Sequence, residues 1–428
     1  METNAYARWF RGSTPYISAH RNKTFVVLLS GEAFEHVNLT NIVHDLALLH
    51  VLGVRLILVH GARPQIERAL PESFYHEHRR VTDDSAMSAI TAVHGQVRTR
   101  LEALFSTGLP NTPLHQVDIP VITGNFVTAR PIGIVDGVDH LLTGAVRRVD
   151  VDRIRGHLDS GALLLASPVG YSPSGQVFNL SAEDLAAEVA IAVNADKLIV
   201  FDEIGSVSGA DGQRISTLTP GELERYLSGA APAKQSRLRH LQQAVRGGVA
   251  KAHLISFEED GALLAELFTA AGVGTQLVEQ TSRGIRQATL EDVAGIVEVI
   301  RPLEESGALV RRERDRLEQE IGNFLVAELD GIVVGCCAVY GYAEQAELAC
   351  VGVHENYQSG NGIGPGLLAA AEQRAKDEGA KSLFALTTLT RDWFVEQGFH
   401  PASLDDLPEQ KQSLYNWQRN SAVMVKPL

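Results

Sequence analysis

Apolar positions in residues 1–280 come in short unbroken runs. Thr24–Leu29 ends at Ser30-Gly31, Val54–Val59 at His60-Gly61, and Gly161–Ala166 at Ser167-Pro168; Lys197–Phe201 is a fourth run. Apolar runs of this length, closed by turn residues, read as strands buried on both faces. Between them, Asn41–Leu52 spaces its apolar residues at helical intervals and Glu183–Val193 is an Ala-rich helix. Strands alternating with helices predict a parallel sheet in an α/β sandwich, whose ligands sit at loops beyond the carboxyl ends of the strands. The loops at Ser30, His60, Thr123 and Ser167 are therefore the places to look.

The pattern changes after a short helix, Leu263–Phe268, which runs into Gly272-Val273-Gly274-Thr275. Residues 276–285 read as a linker. Thr289–Ile300 then opens a helix whose acidic first turn, Glu291 and Asp292, suits a helix N-terminus. Phe324–Glu328, Ile332–Val339 and Glu347–Val353 read as successive strands, with Asp330-Gly331 as a hairpin turn. Cys336 and Cys337 are adjacent in a strand and should point to opposite faces. A Gly-rich loop, Ser359–Gly366, leads into the helix Leu367–Glu378 and the strand Ser382–Leu386. Tyr415–Ser421 alternates like a strand, placing Arg419 and Ser421 on one face. The expected fold is thus an α/β unit over residues 1–280 and an α+β unit over residues 281–428.

Composition narrows the functions. A chain of 428 residues exceeds one ordinary core. Its formal net charge of −14 argues against a nucleic-acid partner, which needs clustered Lys and Arg. The cluster Arg311, Arg312, Arg314 and Arg316 is interrupted by Glu313, Asp315 and Glu318 and reads as a mostly solvated helix face with one or two functional exceptions. No apolar run reaches the ~20 residues a membrane span needs, and Met1–His20 lacks a signal-peptide core. The three cysteines, Cys336, Cys337 and Cys350, fit a reducing compartment, so a cytoplasmic protein with no membrane partner is expected. No metal is called for.

The most specific segment runs from Val353 to Gly364 and opens a helix after an apolar strand. Its glycine and small positions let backbone N–H groups converge on an anion at a helix N-terminus, and a pyrophosphate is the natural occupant. A turn that merely needs glycine is an equal alternative when the loop is taken alone. The loop resembles the cofactor-binding motif of the GNAT N-acetyltransferases: Ser359-x-x-Gly362-x-Gly364 fits with serine in the leading Arg/Gln place, or the loop is one residue longer and Gln358 leads. In that fold the preceding strand carries a bulge and splays from its neighbour. The resemblance therefore implies that acetyl-CoA meets Cys350, Val351 and Val353 through pantetheine, and Gln358, Ser359, Gly360, Gly362 and Gly364 through pyrophosphate.

Acetyl transfer to an amine needs a proton acceptor, a donor to the thioester oxygen and a proton for the leaving sulfur. Glu347, on the same strand as Cys350, could take the amine proton; a solvated strand-face glutamate is the ordinary alternative. Thr387 or Thr388 could donate to the sulfur, or simply cap a turn. Cys350 has no nearby base except His354, so direct attack by the amine is favoured over a covalent thiol step. Arg312 and Arg419, if they share a cleft, suit a dicarboxylate, although either alone would ordinarily be an exposed side chain.

Taken together, Ser13–Ile17, His60–Ile66, Thr123–Pro131, Glu347–Cys350, Trp393–Phe399 and Leu414–Ser421 resemble the bacterial, arginine-inhibited N-acetylglutamate synthases over nearly the whole length. That likeness implies transfer of acetyl from acetyl-CoA to L-glutamate, the entry step of arginine biosynthesis. It implies glutamate binding by Arg312, Cys350, Arg419 and Ser421, with Arg311 as the competitor for the first place. It gives the role of base to Glu347 and a polar role near the sulfur to Thr387. The first unit is similar to the three-layer amino-acid-kinase sandwich, but Leu28 stands in the place of the phosphate-neutralising lysine, and Asn179-Leu180-Ser181-Ala182-Glu183 carries glutamate where the kinases have aspartate. A kinase-dead regulatory domain follows. Positions matching the arginine site are Lys197, His253, Glu266 and Gly272, beside a mobile helix at Ala5–Arg11, so L-arginine is the expected inhibitor. Family members form symmetric oligomers, often hexamers. The competing readings are an active kinase, an arginine-sensing binding protein with a vestigial transferase, and a transferase for another amine.

Overall fold

The computed structural model describes residues 13–77, 79–108, 114–209, 212–227, 232–269, 272–279, 284–329, 332–354, 362–413, 415 and 421–428. Two compact units divide the chain, Met1–Thr281 and Ser282–Leu428.

The expected apolar runs of the first unit are the centre of an eight-stranded sheet. Its order is Thr217–Leu218, Thr275–Val278, Lys251–Ser256, Lys197–Asp202, Thr24–Leu29, Arg55–His60, Leu163–Ala166 and Val121–Ile122. All neighbours are parallel except Lys251–Ser256 with Thr275–Val278. Alternate residues feed separate cores. Val26, Leu28, Ile57, Val59, Leu198 and Val200 join the helix Ala182–Val193 on one face. Phe25, Val27, Leu29, Leu56, Leu58 and Ile199 join the helices Leu39–Val51 and Asp84–Phe105 on the other. Burial on both faces explains why these strands lack a polar alternation, and the result is a three-layer sandwich. Residues 276–285 are not a linker: Thr275–Val278 is a sheet strand, and Gly284–Gln287 is the first strand of the second unit.

The second unit is a seven-stranded sheet in the order Gly284–Gln287, Phe324–Leu329, Ile332–Tyr342, Gln345–Val353, Ser382–Thr387, Ala422–Pro427 and His400–Ala402. Cys336 packs with Val293, Ile296 and Val299 of the helix Val293–Glu305. Cys337 reaches the Leu367 carbonyl of the helix Ile363–Asp377. The two thiols face opposite sides, as adjacent strand residues must. The terminal strand is Ala422–Pro427; of the strand expected at Tyr415–Ser421, residues 416–420 lie outside the described residues. The Asp330-Gly331 turn and the helix expected at Ala5–Arg11 lie outside the described residues.

Candidate active site

Glu347 and Cys350 are three residues apart on one strand, an odd spacing that should send them to opposite faces. The strand Gln345–Val353 prevents this with a bulge. Ala349 pairs with Ala338 and Gly352 with Cys336, so Cys350 and Val351 together face Cys337. Cys350 carries the extra residue's conformation, with φ +50°. Glu347 lies opposite Tyr340, which packs on the core that also holds Cys350. Glu347 and Cys350 therefore share a face.

Arg312 reaches the same place. Its Nη1 donates to Cys350 Sγ, and its backbone N–H donates to Glu304 Oε1 at 2.9 Å. Its Nε is buried and has no partner among the described residues. Burial pushes the Cys350 thiol up to about 11, with the Arg312 guanidinium pulling it partly back. The thiol is thus protonated at neutral pH and a poor nucleophile.

Glu347 is only 6% exposed, which removes the solvated alternative. Lys411 Nζ donates to its Oε2 at 2.7 Å, and the Tyr342 hydroxyl lies 3.5 Å from the same oxygen. Oε1 has no partner among the described residues. Thr387 is buried at the end of Ser382–Thr387; its Oγ1 accepts the Thr390 N–H at 3.0 Å and shares a 2.9 Å bond with Thr390 Oγ1. This is the turn-capping role, and it leaves the hydroxyl proton available when Thr390 is the donor to it.

Gln345–Val353 pairs with Ser382–Thr387 only through Gln345, Ala346 and Glu347. Beyond Glu347 the two strands part, and Cys350, Val351 and Val353 lie on the parted stretch. The helix Ile363–Asp377 starts at Gly362, whose φ of +60° favours glycine. Gly364 follows in its first turn and faces the Trp393 ring, which would stand 3.3 Å from any Cβ there. Gln358, Ser359, Gly360 and Arg419 lie outside the described residues. The Ser421 carbonyl accepts from the Tyr415 hydroxyl at 2.7 Å. Sequence reasoning missed Lys411, Tyr342 and Glu304; they lie in other elements, and nothing local marks them.

A second constellation lies in the first unit. Lys197 Nζ stands 3.4 Å from His253 Nε2, and His253 Nδ1 stands 2.7 Å from Glu266 Oε1. The Val273 and Gly274 N–H groups donate to Glu266 Oε2, each at 2.8 Å. A Cβ on Gly272, at φ +54°, would stand 2.5 Å from that oxygen. The four expected positions are therefore together. Burial, aided by the Lys197 charge, holds His253 at about 4, so the imidazole is neutral and Nδ1–H donates to the carboxylate. Burial lowers Lys197 to about 8, against the raising pull of Glu266. Burial alone would raise Glu266, but the His253 and backbone hydrogen bonds prevail and hold it at about 2. Lys251, held at about 7 by burial and Lys197, and His20, held at about 4 chiefly by burial, add to this basic surround and were not anticipated.

At the sheet's other loops, His60 Nε2 stands 2.8 Å from Ser167 Oγ. Leu28 is buried and supplies no charge where a kinase needs one. Arg237 is drawn to Asp202 at 2.5 Å, with Glu32 at 3.6 Å and Glu183 at 4.0 Å. Among the described residues no group of three or more His, Cys, Asp or Glu could hold a metal, and no helix is long and apolar enough to cross a membrane.

The amino acid kinase family matches residues 23–256, and the acetyltransferase (GNAT) family matches residues 290–399. An amino-acid acetyltransferase of Azotobacter vinelandii is 47% identical over 99% of both chains. The crystal structure of N-acetylglutamate synthase from Neisseria gonorrhoeae complexed with coenzyme A and L-arginine is 35% identical, with a TM-score of 0.88 over 99% of both chains. The same protein complexed with coenzyme A and N-acetyl-glutamate is 36% identical, with a TM-score of 0.64 over 99% of both chains.

Proposed function

Because the chain belongs to the amino-acid acetyltransferases of the bacterial N-acetylglutamate synthase family, with acetyl-CoA as its acetyl donor, we propose that its acceptor is the α-amine of L-glutamate. The observation that carries this reading is the bulge at Cys350, which turns Glu347 and Cys350 to one face, where Arg312 meets Cys350 beside a parted strand pair.

Glu347 accepts a proton from the substrate ammonium, which frees the nitrogen lone pair. The amine attacks the thioester carbonyl, the C–S bond breaks as the carbonyl re-forms, and the nitrogen gives up its second proton. The thiolate takes one proton, so one is released net and the products are N-acetyl-L-glutamate and CoA. Thr387 donates to the leaving sulfur. Pantetheine bonds to the backbone of Cys350, Val351 and Val353, and the pyrophosphate lies along residues 358–364 at the helix N-terminus. Arg312 and Arg419 each pair with a substrate carboxylate, helped by Cys350 and Ser421. An amino acid with two carboxylates satisfies both guanidiniums; a lysine side chain would be repelled by them.

The reaction opens arginine biosynthesis in the cytoplasm, and L-arginine inhibits it at Lys197, His253, Glu266 and Gly272. The regulatory unit spans residues 1–280 and the transferase 281–428, in a symmetric oligomer, a hexamer by resemblance. Support comes from the Neisseria gonorrhoeae structures, one holding L-arginine and the other N-acetyl-glutamate, each with coenzyme A. The test is thiol release from acetyl-CoA across a panel of amino acids, with and without arginine. Release with glutamate, suppressed by arginine, is expected. No glutamate-dependent release defeats the acceptor assignment, and release indifferent to arginine defeats the regulation.

A further inference from the structure

Lys411 belongs to no part of the mechanism above, yet its ammonium is the close partner of the proposed base. We infer that Lys411 is a positioning residue for acetyl transfer: it holds Oε2 of Glu347 so that Oε1 alone meets the incoming amine. This rests on Glu347 being the base.

The geometry is specific. The Lys411 and Glu347 side chains are 19% and 8% exposed, so their contact is not a surface ion pair. A buried carboxylate without a partner is costly, and the neighbouring strand Ile332–Tyr342 offers only the Tyr342 hydroxyl, at 3.5 Å. The partner comes instead from Glu409–Gln412, a single helical turn 64 residues further along the chain. That turn is tied down. Gln412 Nε2 donates to the Leu407 carbonyl at 2.7 Å, and Gln345 Nε2, from the Glu347 strand itself, donates to the Asp406 carbonyl at 3.1 Å. The first bond braces the segment internally and the second ties it to the Glu347 strand apart from the ion pair, so the ammonium is a fixed point rather than a free surface charge.

A carboxylate anchored at one oxygen has a fixed plane and presents one lone-pair direction. Released, it rotates, and the acceptor oxygen leaves the attack geometry for part of the time. Moving Lys411 onto a substrate carboxylate instead would strand Glu347 as a buried, unpaired charge.

The test is steady-state kinetics of the full-length chain carrying Lys411→Met, Lys411→Arg, Glu347→Gln, and Lys411→Met with Glu347→Gln. Lys411→Met should lower kcat about 10- to 100-fold with both KM values unchanged. Lys411→Arg should recover most of that loss. In the Glu347→Gln background, Lys411→Met should cost nothing further, because no carboxylate remains to be aimed. A rise in the amino-acid KM at unchanged kcat makes Lys411 a substrate anchor and overturns the inference. So does a full multiplicative loss in the double variant, or an equal loss in the Met and Arg variants with a lowered Tm. Wild-type turnover in Glu347→Gln would instead defeat the base assignment, a result separate from any outcome at Lys411.

Discussion

Both units gather opposite charges, but they finish them differently. In the first, Glu266 is closed: His253 takes one oxygen, and the Val273 and Gly274 N–H groups take the other. Arg237 is likewise surrounded by Asp202, Glu32 and Glu183. In the second, among the described residues, Arg312 Nε is buried without a partner and Glu347 keeps one oxygen uncontacted. A closed polar network holds its own shape, whereas an open one in a folded interior awaits a ligand. The effector proposed at Glu266 would have to exchange with internal partners. The substrate proposed at Arg312 and Glu347 would meet valences left bare among the described residues. That contrast fits the proposed division of labour between a regulatory and a catalytic unit.

The largest expected effect would break the comparison from the closed side. Burial holds His20, His60 and His253 at about 4 and His94 at about 3, and all lie in the first unit. Their folded pKa values are below the unfolded value of about 6.5. Between those limits the unfolded chain therefore binds more protons, so stability is fully present above pH ~6.5 and is lost as pH falls toward 4. Each pKa unit is worth about 1.4 kcal/mol, so even half of these displacements rivals the ~5–15 kcal/mol that holds a domain folded. Hydrogen exchange followed by mass spectrometry should show protection lost from Thr24–Leu29, Arg55–His60 and Asp84–Phe105 as pH drops from 7 to 4.5. Unchanged protection there would show that these buried imidazoles do not set the first unit's acid stability.

The next effects test the open side. Glu347→Gln should lower kcat at neutral pH by about 10²–10⁴, the usual worth of a general base, and recover as pH rises and the free amine becomes available. An unchanged pH–rate profile removes Glu347 from the chemistry. Arg312→Ala should raise the glutamate KM by about 10- to 100-fold, the loss of one charged hydrogen-bond pair, with little change in the acetyl-CoA KM. If acetyl-CoA binding falls equally, Arg312 supports the strand around Cys350 rather than the acceptor.

These sites differ in how far they could be read from the sequence. The central strands were legible because Thr24–Leu29 and Lys197–Asp202 are buried on both sides and so contain little but apolar residues. Thr275–Val278 was lost in an expected linker because it is only four residues long, and Gly284–Gln287 because it is a largely exposed edge. The bulge at Cys350 has no glycine to announce it; only the resemblance led to it. Lys411 was illegible for another reason. Its meaning depends on Glu347, 64 residues away, and no local pattern encodes such a pairing.

The smallest effect sharpens the comparison most. Arg314 and Arg316 neighbour Arg312 in sequence but point along the helix Arg314–Gln319, paired to Glu318 at 2.9 Å and Glu320 at 2.8 Å. Their side chains are 69% and 64% exposed. Exposed pairs of this kind contribute about 0.3–0.5 kcal/mol, because water screens the charges and ordering two long side chains costs entropy. Glu320 also keeps its 2.6 Å bond from the Tyr340 hydroxyl when Arg316 is removed. Arg314→Ala and Arg316→Ala should therefore shift stability by no more than about 0.5 kcal/mol and leave both KM values where they were. Thermal melts and steady-state kinetics, run beside Arg312→Ala, check this. Should Arg316→Ala raise the glutamate KM as far as Arg312→Ala does, attraction by the general basic field would explain substrate binding. The open valence at Arg312 Nε would then lose its special standing.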